Sequence, residues 1–366
     1  MDKLKRFIDC YIETETCNLR CDYCYITQQR KFNNKVVKFD RPILEIRKAL
    51  SKERLGGTCL INLCAGGETL ISRDIIDVVE ELLKEGHYIM IVTNGTLTKR
   101  FREIAKFEQE LLNRLFFKFS FHYLELKRLD KLNDFFENVK KMRDAGASFT
   151  IEITPSDELI PYIKEIKKVC LEEVGALCHI TIARDDRTKN IDVLSKYKFD
   201  KYVEIWKEFE SPLFNFKSSI YQEQRNEYCY AGDWSLYLNL SNGTLRQCYG
   251  GYIIDNIYNN INKPLKFHAI GHHCALPYCY NGHAFLTLGT IPELDTPTYN
   301  EMRDRTCVNG EHWVRPQMKE IMSQKLADNN EQYSKSKKEK INRQRVIVNL
   351  TSNKTKIIGK LKKIIK

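Results

Sequence analysis

Three thiols fall within eight residues, Cys17-Asn-Leu-Arg-Cys21-Asp-Tyr-Cys24, directly after the apolar run Phe7 to Ile12. Spacings of three and then two residues suit one compact soft-metal centre. A lone zinc is usually held by paired Cys-x2-Cys arms or by a fourth Cys or His close by, whereas short thiolate-rich knots hold iron–sulfur clusters. Cys10 is a further local thiol, and its place inside an apolar run reads as a small buried side chain. A four-iron cluster on three thiolates leaves one iron with an open position, so the knot points to chemistry as well as electron transfer.

A second cysteine set begins after Trp206. Cys229-x13-Gly243-x4-Cys248 is followed by Cys274-x4-Cys279. Trp234–Leu240, the turn Ser241-Asn242-Gly243-Thr244 and Leu245–Tyr249 read as a hairpin with ligands near its ends. Two thiolates from a hairpin and two from a later loop make one closed centre, a structural zinc or a cluster. His272, His273 and His283 flank these cysteines and read as partners of ligands or as loop packing. Cys59, Cys64, Cys170 and Cys178 read as core thiols, although Cys64 stands only two residues before Gly66.

The elements that must position these residues alternate in the first two-thirds of the chain. Strands are predicted at Phe7–Thr14, Leu60–Ala65, Tyr88–Thr93, Phe116–Phe121, Ser148–Thr154 and His179–Ala183. Helices are predicted at Ser72–Glu85, capped by Ser72 and ended by Gly86, and at Lys99–Arg114, Glu125–Ala145 and Ser156–Glu173. Alternation of this kind makes an α/β fold with a parallel sheet. Six βα units are too few for a closed eight-fold barrel, so an open, curved barrel is expected.

In parallel α/β folds ligands gather where the strands end. The six strand ends lead into the Cys17 knot, Gly66-Gly67-Glu68-Thr69-Leu70, Thr93-Asn94-Gly95-Thr96-Leu97, Ser120-Phe-His122-Tyr123, Thr154-Pro155-Ser156 and Arg184-Asp185-Asp186. Each alone is ordinary turn chemistry. At matching ends of successive strands they would ring one polar ligand.

Composition narrows the partners. The net charge is +11, and residues 317–366 carry fourteen Lys or Arg against four acids, so a basic field over the body is not implied and no nucleic-acid partner is expected. No stretch approaches a spanning helix and no signal-peptide core follows Met1, so a cytoplasmic protein is expected. The thirteen cysteines fit that compartment as ligands and buried thiols. Residues 328–345 read as a polar linker or solvated helix. Lys356 to Lys366 places Ile357, Ile358, Leu361, Ile364 and Ile365 on one face and lysines on the other, a short basic helix that either lies in an anionic membrane interface or docks on the body.

Cys-x3-Cys-x-aromatic-Cys after the first strand, Gly-Gly-Glu after the second, Thr-Asn-Gly after the third and Ser at the end of the fourth resemble the radical S-adenosylmethionine (radical SAM) superfamily over roughly residues 5–210. The resemblance implies a partial (β/α)6 TIM-like barrel. It implies that Cys17, Cys21 and Cys24 hold a [4Fe-4S] cluster whose fourth iron is chelated by S-adenosylmethionine. Tyr23 would lie against adenine, Gly66, Gly67 and Glu68 would meet the methionyl ammonium, Ser120 with Thr93 or Asn94 the ribose, and Arg184 the methionyl carboxylate. Thr69 stands where relatives often have Pro, and the usual glycine pattern on the fifth strand is absent. His122 would contact this cofactor, handle a substrate proton or fill the barrel mouth. The second set resembles the auxiliary-cluster domains called SPASM and, lacking the later cysteine run, their shorter twitch form. That implies one auxiliary [4Fe-4S] cluster on Cys229, Cys248, Cys274 and Cys279. Cys307 would be a hydrogen-atom donor to a substrate radical, a substitute ligand or a plain loop thiol.

The expected organisation is a barrel over 1–215, a twitch-like unit with a small β-hairpin over 216–316 and a basic helical tail over 317–366. The expected activity is reductive cleavage of S-adenosylmethionine and hydrogen-atom abstraction, followed by oxidation, epimerisation or rearrangement of a saccharide or other polar metabolite. A reductant such as flavodoxin or ferredoxin would supply electrons. A peptide substrate is the alternative, weakened because sixteen residues precede Cys17, and a non-catalytic iron–sulfur or zinc protein is the alternative of another class.

Overall fold

The computed structural model describes residues 2–36, 38–279 and 282–344. Six strands, β1 (Arg6–Ile12), β2 (Cys59–Ala65), β3 (Tyr88–Thr93), β4 (Leu115–Ser120), β5 (Ser148–Ile153) and β6 (His179–Ile180), pair in parallel in chain order, as the sequence predicts. The sheet does not close on itself, and β6 is one edge. This is a partial, TIM-like barrel. β6 keeps two residues of the expected His179–Ala183 because the Ala183 amide donates to the Tyr202 hydroxyl at 2.9 Å instead of to a strand.

Both faces of the sheet are covered, which is why its strands read as continuous apolar runs. On β1 and β2, Ile8, Cys10, Ile12, Ile61, Leu63 and Ala65 belong to the core beneath the helices. Side chains alternate along a strand, so the register pairs Phe7 with Leu60, Asp9 with Asn62 and Tyr11 with Cys64 face the barrel interior. That interior is apolar where the strands start and polar where they end.

The helices depart from expectation at three points. Lys99–Arg114 is two helices, Thr98–Ile104 and Gln109–Leu112. Glu125–Ala145 breaks into Tyr123–Arg128 and Leu132–Asp144 around Asp130, whose φ of 53° cannot continue a right-handed helix. Pro161 lacks an N–H and crowds the preceding turn, so 156–173 opens as the 3-10 turn Asp157–Tyr162 before the α-helix Ile163–Val174. The helix expected from Ser72 runs Asp74–Lys84 with no side-chain cap, Ser72 instead ending the short turn Thr69–Ile71.

A two-residue pair, β7 (Arg184–Asp185) with β8 (Asp192–Val193), follows β6. The predicted hairpin is present as β9 (Ser235–Asn239) and β10 (Thr244–Arg246), and β11 (Ile253–Asn256) pairs on its outer side. Sequence reading expected it to open a separate unit. Instead β9 runs parallel beside β1, with Phe7 opposite Ser235 and Tyr11 opposite Asn239, so the hairpin prolongs the barrel sheet.

The described part of the expected tail is also built in. Met318, Ile321, Met322 and Leu326 join Leu4, Phe7, Leu60, Met90 and Phe116 in a second core at the starting ends of the strands. The Leu4 amide donates to Gln324 at 2.9 Å and the Tyr333 hydroxyl donates to Asp233, which is paired with Arg6 at 3.0 Å. Residues 328–344, expected as a linker or solvated helix, are thus anchored at Tyr333 and at the buried Ile341. The basic amphipathic stretch 356–366 lies outside the described residues. No helix among the described residues is long and apolar enough to cross a membrane. Met318→Ala should cost about 2–4 kcal/mol through the cavity it leaves, read as a lower denaturant midpoint at unchanged slope; an unshifted midpoint would mean that the segment is not part of the core.

Candidate functional site

The ladder between β1 and β2 does not stop where the strands stop. Gly66 N donates to Ile12 O at 3.2 Å, Gly67 N to Thr14 O, and Glu68 N to Thr16 O at 3.0 Å. The loop after β2 is therefore zipped to the segment that delivers Cys17. Glycine is needed for this approach: a Cβ on Gly67 would stand 2.0 Å from Thr16 O, and one on Gly66 2.8 Å from Thr14 O.

Glu68 ties in the third strand end. One carboxylate oxygen accepts from Thr93 Oγ1 at 2.7 Å and Leu70 N at 3.0 Å, the other from Asn94 N at 2.8 Å. Asn94 Nδ2 donates to Asn18 Oδ1 at 2.8 Å and lies 3.7 Å from Cys17 Sγ. The Leu19 amide donates to the same sulfur at 3.4 Å. Donors aimed at a thiol stabilise its thiolate form.

These loops border a cavity of about 80 Å3 lined by Cys17, Cys21, Cys24, Gly66, Gly67, Glu68, Thr93, Asn94, Ser120 and His122. Ten of the twelve residues predicted for this site, from four strand ends, thus border one space. Cys64, read as a core thiol, also lines it. Tyr23 and Arg184 do not. The Tyr23 hydroxyl shares a 2.6 Å hydrogen bond with His122 Nδ1, and Tyr23 borders a neighbouring pocket with Cys21, Tyr123 and Ser156. Arg184 borders a neighbouring cleft with Lys217, Tyr221 and His283.

Burial raises all three thiols of the knot, Cys17 to about 11, and the nearby Glu68 and Cys24 charges push it the same way. Iron binding would displace those protons. Burial pushes His122 down to about 4, leaving it neutral at ordinary pH. No three His, Cys, Asp or Glu side chains among the described residues are gathered around a single-ion position. A cubane cluster spreads its thiolates over different irons and needs no such gathering.

The second cysteine set also converges. Cys229, Cys248, Cys274 and Cys279 border one pocket of about 40 Å3, with Ala231, Ile270, Leu276, Phe285, Leu286 and Ile291 as its apolar wall. The thiol hydrogen of Cys307, by contrast, points to Val174 O at 3.3 Å, beside Gly175 at the end of the helix that precedes β6. That is where the strands start, away from the first cavity, and Cys307 lines neither pocket. Cys307 is therefore not placed to give a hydrogen atom to a substrate or to join either cysteine set.

Sequence reading passed over the charged residues inside the barrel. Asp9 accepts from Asn62 at 2.6 Å and from the Tyr249 hydroxyl, which links the barrel interior to the residue after Cys248. Burial works against the charge of Glu152, but Arg303 and Lys118 outweigh it and hold the carboxyl at about 2. Burial and the Arg184 charge lower Lys217 to about 7. The signal was present: Asp9, Lys118 and Glu152 each interrupt an otherwise apolar strand.

A partial barrel with a three-cysteine knot and a glycine-zipped loop at the ends of its strands is the arrangement of the radical SAM superfamily, whose family model matches residues 11–158. The chain is matched over that region, which is less than half of its length. Among curated proteins it is similar to the 7-carboxy-7-deazaguanine synthases of Aquifex aeolicus, 34% identical over 87 residues, and of Thermoplasma acidophilum, 29% over 90. Those matches take in 24% and 25% of this chain, and the chain spans only 36% and 39% of those relatives' length. Among solved structures it is similar to Streptococcus suis SuiB bound to S-adenosylmethionine, at 15% identity and a TM-score of 0.48, covering 70% of this chain and 65% of that one. A radical SAM domain implies a [4Fe-4S] cluster and S-adenosylmethionine, and the three thiols with the Gly66-Gly67-Glu68 cradle fit them. Gly67→Ala should push the two loops apart at a cost of about 1–3 kcal/mol and lower the iron retained after anaerobic reconstitution; wild-type melting and iron content would show the close approach to be dispensable.

Proposed function

We propose that this chain is a radical SAM enzyme acting on a small polar metabolite, with an auxiliary cluster in its second cysteine set. The observation that carries the reading is the single cavity shared by Cys17, Cys21, Cys24, Gly66, Gly67, Glu68, Thr93, Asn94 and Ser120. When bound, a cluster on those three cysteines together with S-adenosylmethionine supplies a 5′-deoxyadenosyl radical by reductive cleavage of the sulfonium C–S bond, the electron coming from a reductant such as flavodoxin or ferredoxin. The chain's own residues place that chemistry. Glu68 fixes the loops after β2 and β3 against the knot, and Asn94 steadies Cys17. Burial keeps His122 neutral beside the cavity, and its Nδ1 shares a hydrogen bond with Tyr23.

The auxiliary centre is read as a twitch-like [4Fe-4S] cluster on Cys229, Cys248, Cys274 and Cys279. Its support is the apolar pocket those four thiols share, a setting that excludes water from a cluster. Full ligation by protein makes it an electron acceptor or relay, suited to oxidising a substrate radical; epimerisation and rearrangement remain the other outcomes of the same radical. The name shared by two of the relatives denotes a carboxylated deazaguanine, which supports a polar metabolite as the substrate class.

Anaerobically reconstituted protein with dithionite and S-adenosylmethionine should release 5′-deoxyadenosine, and Cys17→Ala should abolish it while leaving the second cluster loaded. About eight irons per chain are expected, falling to about four in Cys248→Ala. No 5′-deoxyadenosine from fully loaded protein would leave the non-catalytic reading. About four irons in the wild type, unchanged in Cys248→Ala, would remove the auxiliary cluster.

A further inference from the structure

The centre of the barrel holds more hydrogen-bond donors than its acceptors satisfy. Lys118 on β4, Arg184 on β7, Lys217 on the helix Pro212–Ser219 and Arg303 on the helix Tyr299–Arg303 all act on His283 through space. Against these four cations stand Glu152, paired with Arg303, Asp186, 3.9 Å from Arg184, and Asp9, within electrostatic reach of Lys118. Lys217 is 8% exposed and donates only to Thr181 Oγ1. Lys118 has no hydrogen bond or ion pair with any described residue.

His283 shows the same imbalance in its tautomer. Its Nε2 lies 2.8 Å from Arg303 Nη2, and because a guanidinium only donates, Nε2 must accept. The imidazole proton then sits on Nδ1, which is closed off from solvent and has no acceptor, as is Arg303 Nε. Buried donors and ammonium groups left without acceptors cost free energy. A fold keeps such a set when a ligand supplies the missing acceptor.

The place for it is a narrow cleft of about 10 Å3 bordered by Arg184, Lys217, Tyr221, His283 and Cys279. Cys279 also borders the pocket of the second cysteine set, and Lys118 and Arg184 lie within electrostatic reach of Cys64 in the first cavity. We propose that this cleft binds an anionic group of the substrate, a carboxylate or a phosphate, through Arg184, Lys217 and the Nδ1 hydrogen of His283, with the Lys118 charge acting through space. So held, the substrate lies between the two cysteine sets. That placement rests on the radical SAM reading, whereas the binding itself does not.

The test is calorimetric titration of the reconstituted protein with inorganic phosphate and, separately, with acetate, which distinguishes the two sources of the charge. One saturable site per chain is expected for at least one of them. Arg184→Met and Lys217→Met should each weaken it roughly tenfold or more, the loss of one charge-assisted hydrogen bond, while the exposed Lys164→Met should not. Melting without ligand reports whether each variant folds, and if Lys217→Met does not, Arg184→Met decides. Saturating S-adenosylmethionine should leave the site intact. No saturable binding of either anion, full affinity in the folded variants, or displacement by S-adenosylmethionine, which would assign the cations to its own carboxylate, overturns the proposal. None of these readouts needs 5′-deoxyadenosine to form, so this proposal and the catalytic reading fail separately.

Discussion

The backbone of Gly66 and Gly67 lies against Thr14 and Thr16 with no room for a side chain, and the site depends on that contact. It carries a sheet ladder beyond the last residues of β1 and β2 and turns two loops into one rigid edge. Cys17 hangs from one side of this edge and Glu68 from the other. Through its four acceptor positions Glu68 then fixes Thr93 and Asn94, so a third strand end is held to the same frame. Preorganisation of this kind removes the cost of ordering loops each time a ligand binds.

The interior of the barrel divides along its axis for a physical reason. Where the strands start, Phe7, Leu60, Met90 and Phe116 are sealed by Met318, Ile321 and Met322, and the protein is hydrocarbon throughout. Further along, Asp9, Asn62, Lys118 and Glu152 face inward, and charges in that position must be paired or must meet a ligand. Arg303 and Glu152 are paired, as are Asp9 and its donors. The lysines lack such partners, which sets the middle of the barrel apart from a merely structural core.

Much of this was legible in the chain. Six apolar runs separated by helical patterns fix the order of β1 to β6 and, except at β6, their bounds to within a residue or two, because a strand covered on both faces is apolar at most positions. The site residues at the ends of β1, β2, β3 and β4 were legible for a related reason: in a parallel sheet every strand ends on the same side. Other features were not. The helix breaks near Phe107 and Asp130 depend on tertiary packing that overrides periodicity, and Asp9, Lys118 and Glu152 looked like blemishes in apolar strands until their common interior was visible.

The sequence by itself determined the fold class, the three-thiol knot and its glycine-rich neighbour, since spacing within a loop and apolar periodicity within a strand are local properties. Tertiary structure decided what lies opposite what. It set β9 beside β1, moved Arg184 and Tyr23 off the cavity wall, carried Cys307 to the far end of the barrel and brought Lys217, His283 and Arg303 onto Lys118 from segments about one hundred residues or more away. Those relations depend on how the sheet curves and which helices close it, and no pattern within a single segment encodes them.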